Sequence, residues 1–489
     1  MKLEQDRRMF LKASAAFAAI SLLPCGCATR MPAGPQLPLS ARGSKKPGVV
    51  RGAFFFPSSQ DVLDGKCEDS WSSEKWFTWP GNQFEPEQQQ VKFMAHLRGM
   101  AGSLGLDLKM DNKPICTNAG IQTFLDDVNA SKPDALLLVN FWNSFSGKLK
   151  PLLDNFKGPI ILYQPVGANH QLPPKIFREA ERVQYIHSVE NWHALERGLR
   201  AVNAKTRLAQ SRLLRVSGKA TEESDAKEDF LGVALHTVPA EYFNRIFDEM
   251  PVSSEVKSLA RSVRSNARMV TDLEEKAFTD GVRAHLSVLK MVEQYKADAI
   301  TIECLFLKHR KPCLSFSMNN GNLLPCGCEN DLNASLSLMF GANLFGRGGF
   351  QHNPDFDTEN NLYYASHCTC TTQLHGPGGK QEPYDLRPFF HQMPKSLAVD
   401  VEWPVGESVT LCKYHTGKVI IDAWQGTIVA SPKCPPTGGC ATRLMVKMPN
   451  VADVCSIYPG PHPAMYCGEF AQHVKVFGKL YGIEVKTNC

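Results

Sequence analysis

The sequence predicts an α/β protein: two parallel-sheet domains followed by a β-rich C-terminal domain. Three observations predict it. Short apolar runs such as GVVRGAFFFP (48–57), PDALLLVNFW (133–142) and GPIILYQP (158–165) alternate with longer stretches of helical spacing. A second series of the same kind starts near Arg212. From Trp403 the pattern changes to short alternating runs broken by Gly and Pro, namely SVTLCKYH, KVIIDAW, GTIVAS and TRLMVKM, as antiparallel strands require.

The first thirty residues read as targeting. Asp6-Arg7-Arg8-Met9-Phe10-Leu11-Lys12 is a twin-arginine pattern ahead of an apolar run from Ala13 to Leu23, too short to span a bilayer comfortably. LPCGCA (23–28) resembles a lipoprotein cleavage site with Cys27 as the acylated residue. The expectation is export by the twin-arginine route to the periplasm, free or lipid-anchored at Cys27. Residues 31–47, rich in Pro, Gly and basic side chains, read as a linker.

The first domain is expected over 48–167. Its order of strand (48–57), helix (87–104), strand (106–110), helix (119–130) and two further strands implies a parallel sheet with right-handed crossovers, flavodoxin- or Rossmann-like. Ligands of such sheets sit at the carboxyl ends of the strands, so Phe56-Pro57, Asn140-Phe141-Trp142 and Tyr163-Gln164 share one rim. Trp71, Trp76 and Trp79 crowd an intervening loop, where they pack over a core edge or stack on a sugar ring. Neither GxGxxG after the first strand nor GxxxxGK[ST] occurs, which disfavours a bound nucleotide. The middle domain, 168–396, takes SRLLRVSG and LGVALHTVP as strands, EYFNRIFDEM as an amphipathic helix, 271–295 as a long helix and 331–340 as another. The C-terminal domain, 397–489, closes on a helix over 470–481.

A length of 489 residues exceeds what one core usually serves. The net charge of +5 falls to about +3 once the four basic and two acidic residues of the leader are set aside, too little for a nucleic-acid footprint. Sixteen cysteines, fourteen of them beyond Cys27, permit several disulfides in an oxidising compartment. Cys434 and Cys440 flank one plausible small loop.

Chemistry concentrates between Ala297 and Lys380. ADAITIEC (297–304) reads as a buried strand ending at Glu303, KPCLSFS (311–317) as the next strand, and LPCGCEND (324–331) carries Glu329. The two glutamates are 26 residues apart and arrive at the same rim of a parallel sheet. Facing carboxylates repel, and a divalent cation between them removes that penalty. Taken singly, Glu303 reads equally as an exposed carboxylate or a partner of Lys308, His309 or Arg310. YYASHCTCTTQLHGPGG (363–379) adds His367 and His375, and YPGPHPAMYCGEF (458–470) puts His462 in a turn before a strand. A lone histidine is more often a structural hydrogen-bonder; oxygens and imidazoles together suit a divalent metal that polarises a carbonyl or hydroxyl.

With Glu303 in TIEC, Glu329 in PCGCEND, His367 in SHCT and His462 before MYCGEFAQHVKVFGKLYGIEV, the chain resembles the L-fucose isomerase and L-arabinose isomerase superfamily, in particular its fucose-isomerase-like members. The resemblance implies that Glu303, Glu329, His367 and His462 hold a divalent ion, usually manganese. It implies an intramolecular oxidoreductase in carbohydrate metabolism that interconverts aldoses and ketoses through an enediol. Glu303 and Glu329 would be the catalytic acids, no reducible cofactor is needed, and a homo-oligomer is expected. The chain departs from the family pattern in its export signal and in its CGC and CTC cysteines. Two alternatives stand beside this reading. Cys326, Cys328, Cys368 and Cys370 offer four thiols for a zinc or redox centre. An exported sugar-binding protein of the same fold, without catalysis, is the other.

Overall fold

The structure, a computed structural model, describes residues 45–68, 83, 85–167, 172–389, 395–433 and 440–489. The export signal, Cys27, most of the linker, the tryptophan loop and Cys434 lie outside the described residues. The fold is mixed α/β, with a five-stranded parallel sheet and a large antiparallel one.

The first sheet contains β1 (Val49–Phe55), β2 (Asp107–Met110), β3 (Ala135–Asn140), β4 (Ile160–Pro165) and β5 (Val183–Ser188), all parallel in the order β2-β1-β3-β4-β5. Its central strands read as continuous apolar runs because both faces are covered. Phe54 and Phe56 pack on Phe141, which meets Phe93 of the helix Pro86–Leu104. Phe55 points the other way, onto Phe124 of the helix Asn118–Ser131. The sheet does not stop at residue 167: β5 pairs with β4 along six residues.

The second sheet contains β6 (Arg212–Ser217), β7 (Ser224–Lys227) and β8 (Ala234–Pro239), and, beyond a short β9 (Met269–Val270) that belongs elsewhere, β10 (Ala299–Ile302) and β11 (Cys326–Cys328). The order is β11-β10-β6-β8-β7, parallel except for β7. The expected strand at KPCLSFS is instead a helix, Cys313–Gly321, with all nine residues buried. A segment buried all round shows no period, and a short apolar run cannot then distinguish helix from strand. The strand that follows β10 is the CGC triplet, β11. It is held by β10 on one side and on the other by the Gln351 carboxamide, which accepts from Cys328 N (2.7 Å) and donates to Cys328 O (3.2 Å).

The third sheet gathers β12 (Phe350–Gln351), β13 (Asn353–Asp357) and β14 (Leu362–His367) and, after β15 (Tyr384–Pro388) and β16 (Leu397–Val401), also β17 (Ser408–His415), β18 (Ile420–Ala430), β19 (Thr442–Lys447) and β20 (Ala464–Cys467). Its antiparallel order is β12-β20-β17-β18-β19-β14-β13, with β21 (Glu484–Lys486) parallel to β18. β15 pairs with β16 on one side and β9 on the other in a small separate sheet. Three strands of the antiparallel sheet thus precede residue 397, the expected start of the β-rich region. KVIIDAW and GTIVAS form one strand, β18, with a register shift between Ile428 and Ala430. Gly426 lies inside it because the chains approach closely; a Cβ there would sit 2.4 Å from Val446.

The helix Leu332–Leu344 joins these layers. Its buried Phe340 meets Phe477 of the helix Ala471–Tyr481, and Gly341 admits the Tyr466 ring of β20. One buried cluster runs from Phe54 and Leu137 of the first sheet through Phe340 to Tyr466 and Phe477. This packing brings the ends of β11, β14 and the turn before β20 together. Among the described residues no helix is long and apolar enough to cross a membrane.

Candidate metal centre

Ile302 pairs with Cys328 in the β10–β11 ladder, so Glu303 and Glu329 are the next residues on neighbouring parallel strands. Their side chains take different partners. Glu329 and Asn330 take left-handed backbone (φ +61° and +52°), a region that costs a non-glycine residue. That turn takes Glu329 out of strand geometry. Glu303 stays on the β6 side, where its Oε2 accepts from Gly218 N (2.8 Å) and Ser217 Oγ (3.3 Å). Glu329 meets the histidines instead.

His367 Nε2 lies 3.8 Å from Glu329 Oε1, and His462 Nε2 lies 3.6 Å from Glu329 Oε2. The two imidazoles stand nearly perpendicular, with centroids 5.6 Å apart. His367 comes from the last position of β14, while His462 sits in the turn before β20 with φ +55°. His462 Nδ1 donates to Asp331 Oδ2 at 2.9 Å. A carboxylate only accepts, so this bond puts the proton on Nδ1 and leaves the Nε2 lone pair facing Glu329. Asp331 is also the N-cap of the helix Leu332–Leu344, its Oδ1 accepting from Ala334 N at 2.9 Å.

The electrostatics follow from this packing. His367, and then His462, hold the Glu329 carboxyl below its ordinary range against the opposing effect of burial. Burial would raise Asp331, but His462 and the Ala334 N–H outweigh it and the net shift is downward. Burial lowers His367 despite the neighbouring Glu329. The His367 ring is thereby available as a neutral donor beside a carboxylate anion, the form a metal requires. Behind them, burial pushes His352 down to about 3; its Nδ1 bonds Phe350 O (3.0 Å) and its Nε2 the Tyr363 hydroxyl (2.8 Å). His352 is structural.

The donor atoms fit a divalent ion. The N···O separations of 3.6 and 3.8 Å are too long for hydrogen bonds, yet fall within the ~4 Å that two ligand bonds of about 2.0–2.2 Å can bridge. Ligand atoms of Cys328, Glu329 and His367 also lie within 4.8 Å of one another. Neither His462 nor Glu303 belongs to such a group among the described residues. Glu329 thus meets His367 and His462 while Glu303 meets Ser217 and Gly218, although the two glutamates are neighbours along the backbone ladder.

The thiols are arranged differently from the two CxC pairs. Asn320 holds Cys326 through its backbone N–H and C=O, and Cys370 Sγ accepts from the Trp403 indole at 3.2 Å. Cys328 instead faces Cys304 (Sγ–Sγ 2.9 Å), and Cys368 faces Cys313 (3.6 Å). The contact with Cys328, with the Lys311 ammonium nearby, holds the Cys304 thiol below its ordinary range, while Cys328 itself is held well above. Lys311, 2% exposed, donates to the carbonyls of Cys304 (2.6 Å) and Leu305 (3.0 Å). The four CxC thiols form no ligand group among the described residues.

Sequence reading overlooked Asp331, Lys413 and Gln351. An aspartate directly before a helical run is an N-cap signature, so Asp331 carried a signal. Lys413, whose Nζ donates to Pro461 O and steadies the His462 turn, carried none. A cavity of about 450 Å³ opens beside Asp331, lined by Lys413, His415, Asp422, Trp424 and Tyr458. A larger one, about 850 Å³, lies between residues 178–185 and 475–485 and is lined by none of Cys328, Glu329, His367 and His462.

No family model matches the chain, and no characterised protein in a curated collection matches it.

Proposed function

We propose that this chain is a divalent-metal-dependent enzyme of the aldose–ketose isomerase type, using manganese. The observation that carries the reading is the pair of imidazole Nε2 atoms facing opposite oxygens of Glu329, with the tautomer of His462 set by Asp331. Glu329, His367 and His462 would hold the ion. When bound there, it would polarise adjacent carbonyl and hydroxyl oxygens of a polyhydroxy substrate. Glu303, which directly follows β10 and is held by Gly218 N–H and Ser217 Oγ, is the residue we assign to carry the proton between neighbouring carbons. The polar cavity beside Asp331 has a volume suited to a small ligand. The resemblance to fucose-isomerase-like proteins supports the substrate class and a homo-oligomer. Residues 6–28 support export by the twin-arginine route and acylation at Cys27.

The test is metal analysis of the purified chain, with a panel of aldoses incubated in D₂O. Stoichiometric manganese, lost in Glu329→Gln, together with metal-dependent deuterium uptake next to the carbonyl, supports the proposal. Sugar binding without exchange would identify the non-catalytic alternative. Cys328 within reach of Glu329 and His367 favours a second reading, a softer ion such as zinc; it predicts metal loss in Cys328→Ser.

A further inference from the structure

We propose that His375, Glu407 and Cys467, with Glu382 as a fourth ligand, form a second cation site suited to zinc and separate from the Glu329 centre.

Local structure brings these four residues together. Val409 pairs with Cys467 in the β17–β20 ladder, which sets Glu407, just ahead of β17, beside the end of β20. The loop from Thr372 to Glu382 closes on itself through Glu382 N→Thr372 O (2.8 Å), with a tight turn in which Gly379 N donates to Gly376 O (3.0 Å). Gly376 has φ +89°, open to glycine at little cost, and this turn presents His375. His375 Nε2 lies 3.5 Å from Glu407 Oε2 and 3.8 Å from Glu382 Oε1, and Cys467 Sγ lies 3.1 Å from Glu407 Oε2. The ligand atoms of His375, Glu407 and Cys467 all fall within 4.8 Å of one another, and Glu382 approaches from the His375 side.

Glu382 supplies an independent observation. It is 2% exposed, and its Oε1, on the His375 side, has no hydrogen-bond partner. Lys380 engages only Oε2, at 3.0 Å. A buried carboxylate oxygen without a donor is costly unless a cation answers it. Thiolate, imidazole and carboxylate together suit zinc; calcium and magnesium take oxygen ligands and leave thiols aside.

The two centres are distinct. The two ligand groups share no residue, and His462 precedes β20 whereas Cys467 ends it, the strand from Ala464 spanning roughly 10 Å at the strand rise. In the ion-free form the Cys467 thiol donates to Glu407. On binding, its S–H bond breaks, the proton leaves to solvent and a sulfur–zinc bond forms, with no change in oxidation state. The site would fasten the 372–382 loop to β17 and β20, a structural role.

The experiment uses the full chain stripped with a chelator and titrated with Zn²⁺ against a chromogenic competitor, followed by the Co²⁺ absorption spectrum. We expect Zn²⁺ binding that persists in Glu329→Gln, weakens at least tenfold in His375→Ala and Cys467→Ser, and shows a thiolate-to-Co²⁺ charge-transfer band lost in Cys467→Ser but kept in Cys328→Ser. The inference is overturned if His375→Ala binds Zn²⁺ like the native chain, if Glu329→Gln binds none, or if the band disappears in Cys328→Ser and stays in Cys467→Ser. Should Cys467→Ser fail to fold, the half-exposed His375→Ala and Glu407→Gln decide the matter by the same tenfold criterion.

Discussion

Replacing Asp331 with asparagine separates two duties that one carboxylate now performs. Oδ2 accepts from His462 Nδ1 and Oδ1 accepts from Ala334 N, both at 2.9 Å. Asparagine has one acceptor oxygen and one amino group, so in either orientation a donor is left facing a donor. If the amide keeps the cap, His462 loses the partner that fixes its tautomer, and metal affinity should fall 10- to 100-fold, about 1.4–2.7 kcal/mol. If it keeps His462, the helix Leu332–Leu344 loses its cap at a cost of roughly 1 kcal/mol. Asp331→Ser is the control, because a hydroxyl restores the cap but does not reach a ring bonded through the longer side chain. The assay is Mn²⁺ titration by competition with a chelator, alongside urea unfolding of the metal-free chain. We expect weakened metal binding with full metal-free stability in the serine variant, and in the asparagine variant either weakened metal binding or the loss of the cap, according to the orientation the amide takes. Native Mn²⁺ affinity in both, with intact folds, would refute the assignment of Asp331 as the orienting partner of His462.

Three further outcomes follow from the packing. Gly341→Ala would put a Cβ 2.2 Å from Tyr466 Cζ and disturb the Tyr466 hydroxyl that donates to Ser337 O at 2.7 Å; overpacking plus one weakened hydrogen bond should cost about 2–4 kcal/mol by urea unfolding, and a loss under 0.5 kcal/mol counts against the close approach. Gln351→Leu strips both backbone partners from buried Cys328; a loss of roughly 2–4 kcal/mol is expected, and an unchanged midpoint would show that the carboxamide does not hold the edge of β11. Burial raises Asp400 to about 6, opposed by Arg387 at 3.5 Å. With the folded value above the ordinary one, the unfolded chain releases this proton first, so stability falls as pH rises from about 4 to 6 and then levels off. The shift corresponds to at most roughly 3 kcal/mol, and losing the Arg387 partner reduces the gain in Asp400→Asn to about 1–2 kcal/mol at pH 7, with none at pH 4. A variant that loses stability between pH 4 and 7 relative to the native chain would contradict the sign.

Much of the layout was legible because each element's burial leaves a period. The helices Pro86–Leu104, Asn118–Ser131 and Glu275–Gln294 and strands β1, β3, β4, β6 and β10 stand where spacing places them. Failures fall where burial is complete or where pairing alone makes the element. Cys313–Gly321 is buried on every side and shows no helical stripe. CGC is too short to form a strand by propensity and does so because β10 and Gln351 bracket it. KVIIDAW and GTIVAS look like two strands because Gly426 reads as punctuation, whereas the glycine is required by close contact with Val446.

By itself the sequence determined the alternation of strand and helix and the change to antiparallel strands. These follow from periodicity and local chain chemistry, which neighbouring residues settle among themselves. Only the tertiary structure decided which side chains meet. A left-handed turn sends Glu329 to His367 and His462, Glu303 stays with Ser217 and Gly218, and Asp331 serves a histidine 131 residues away. Such contacts depend on how separate layers pack, and no local pattern records a partner so far along the chain.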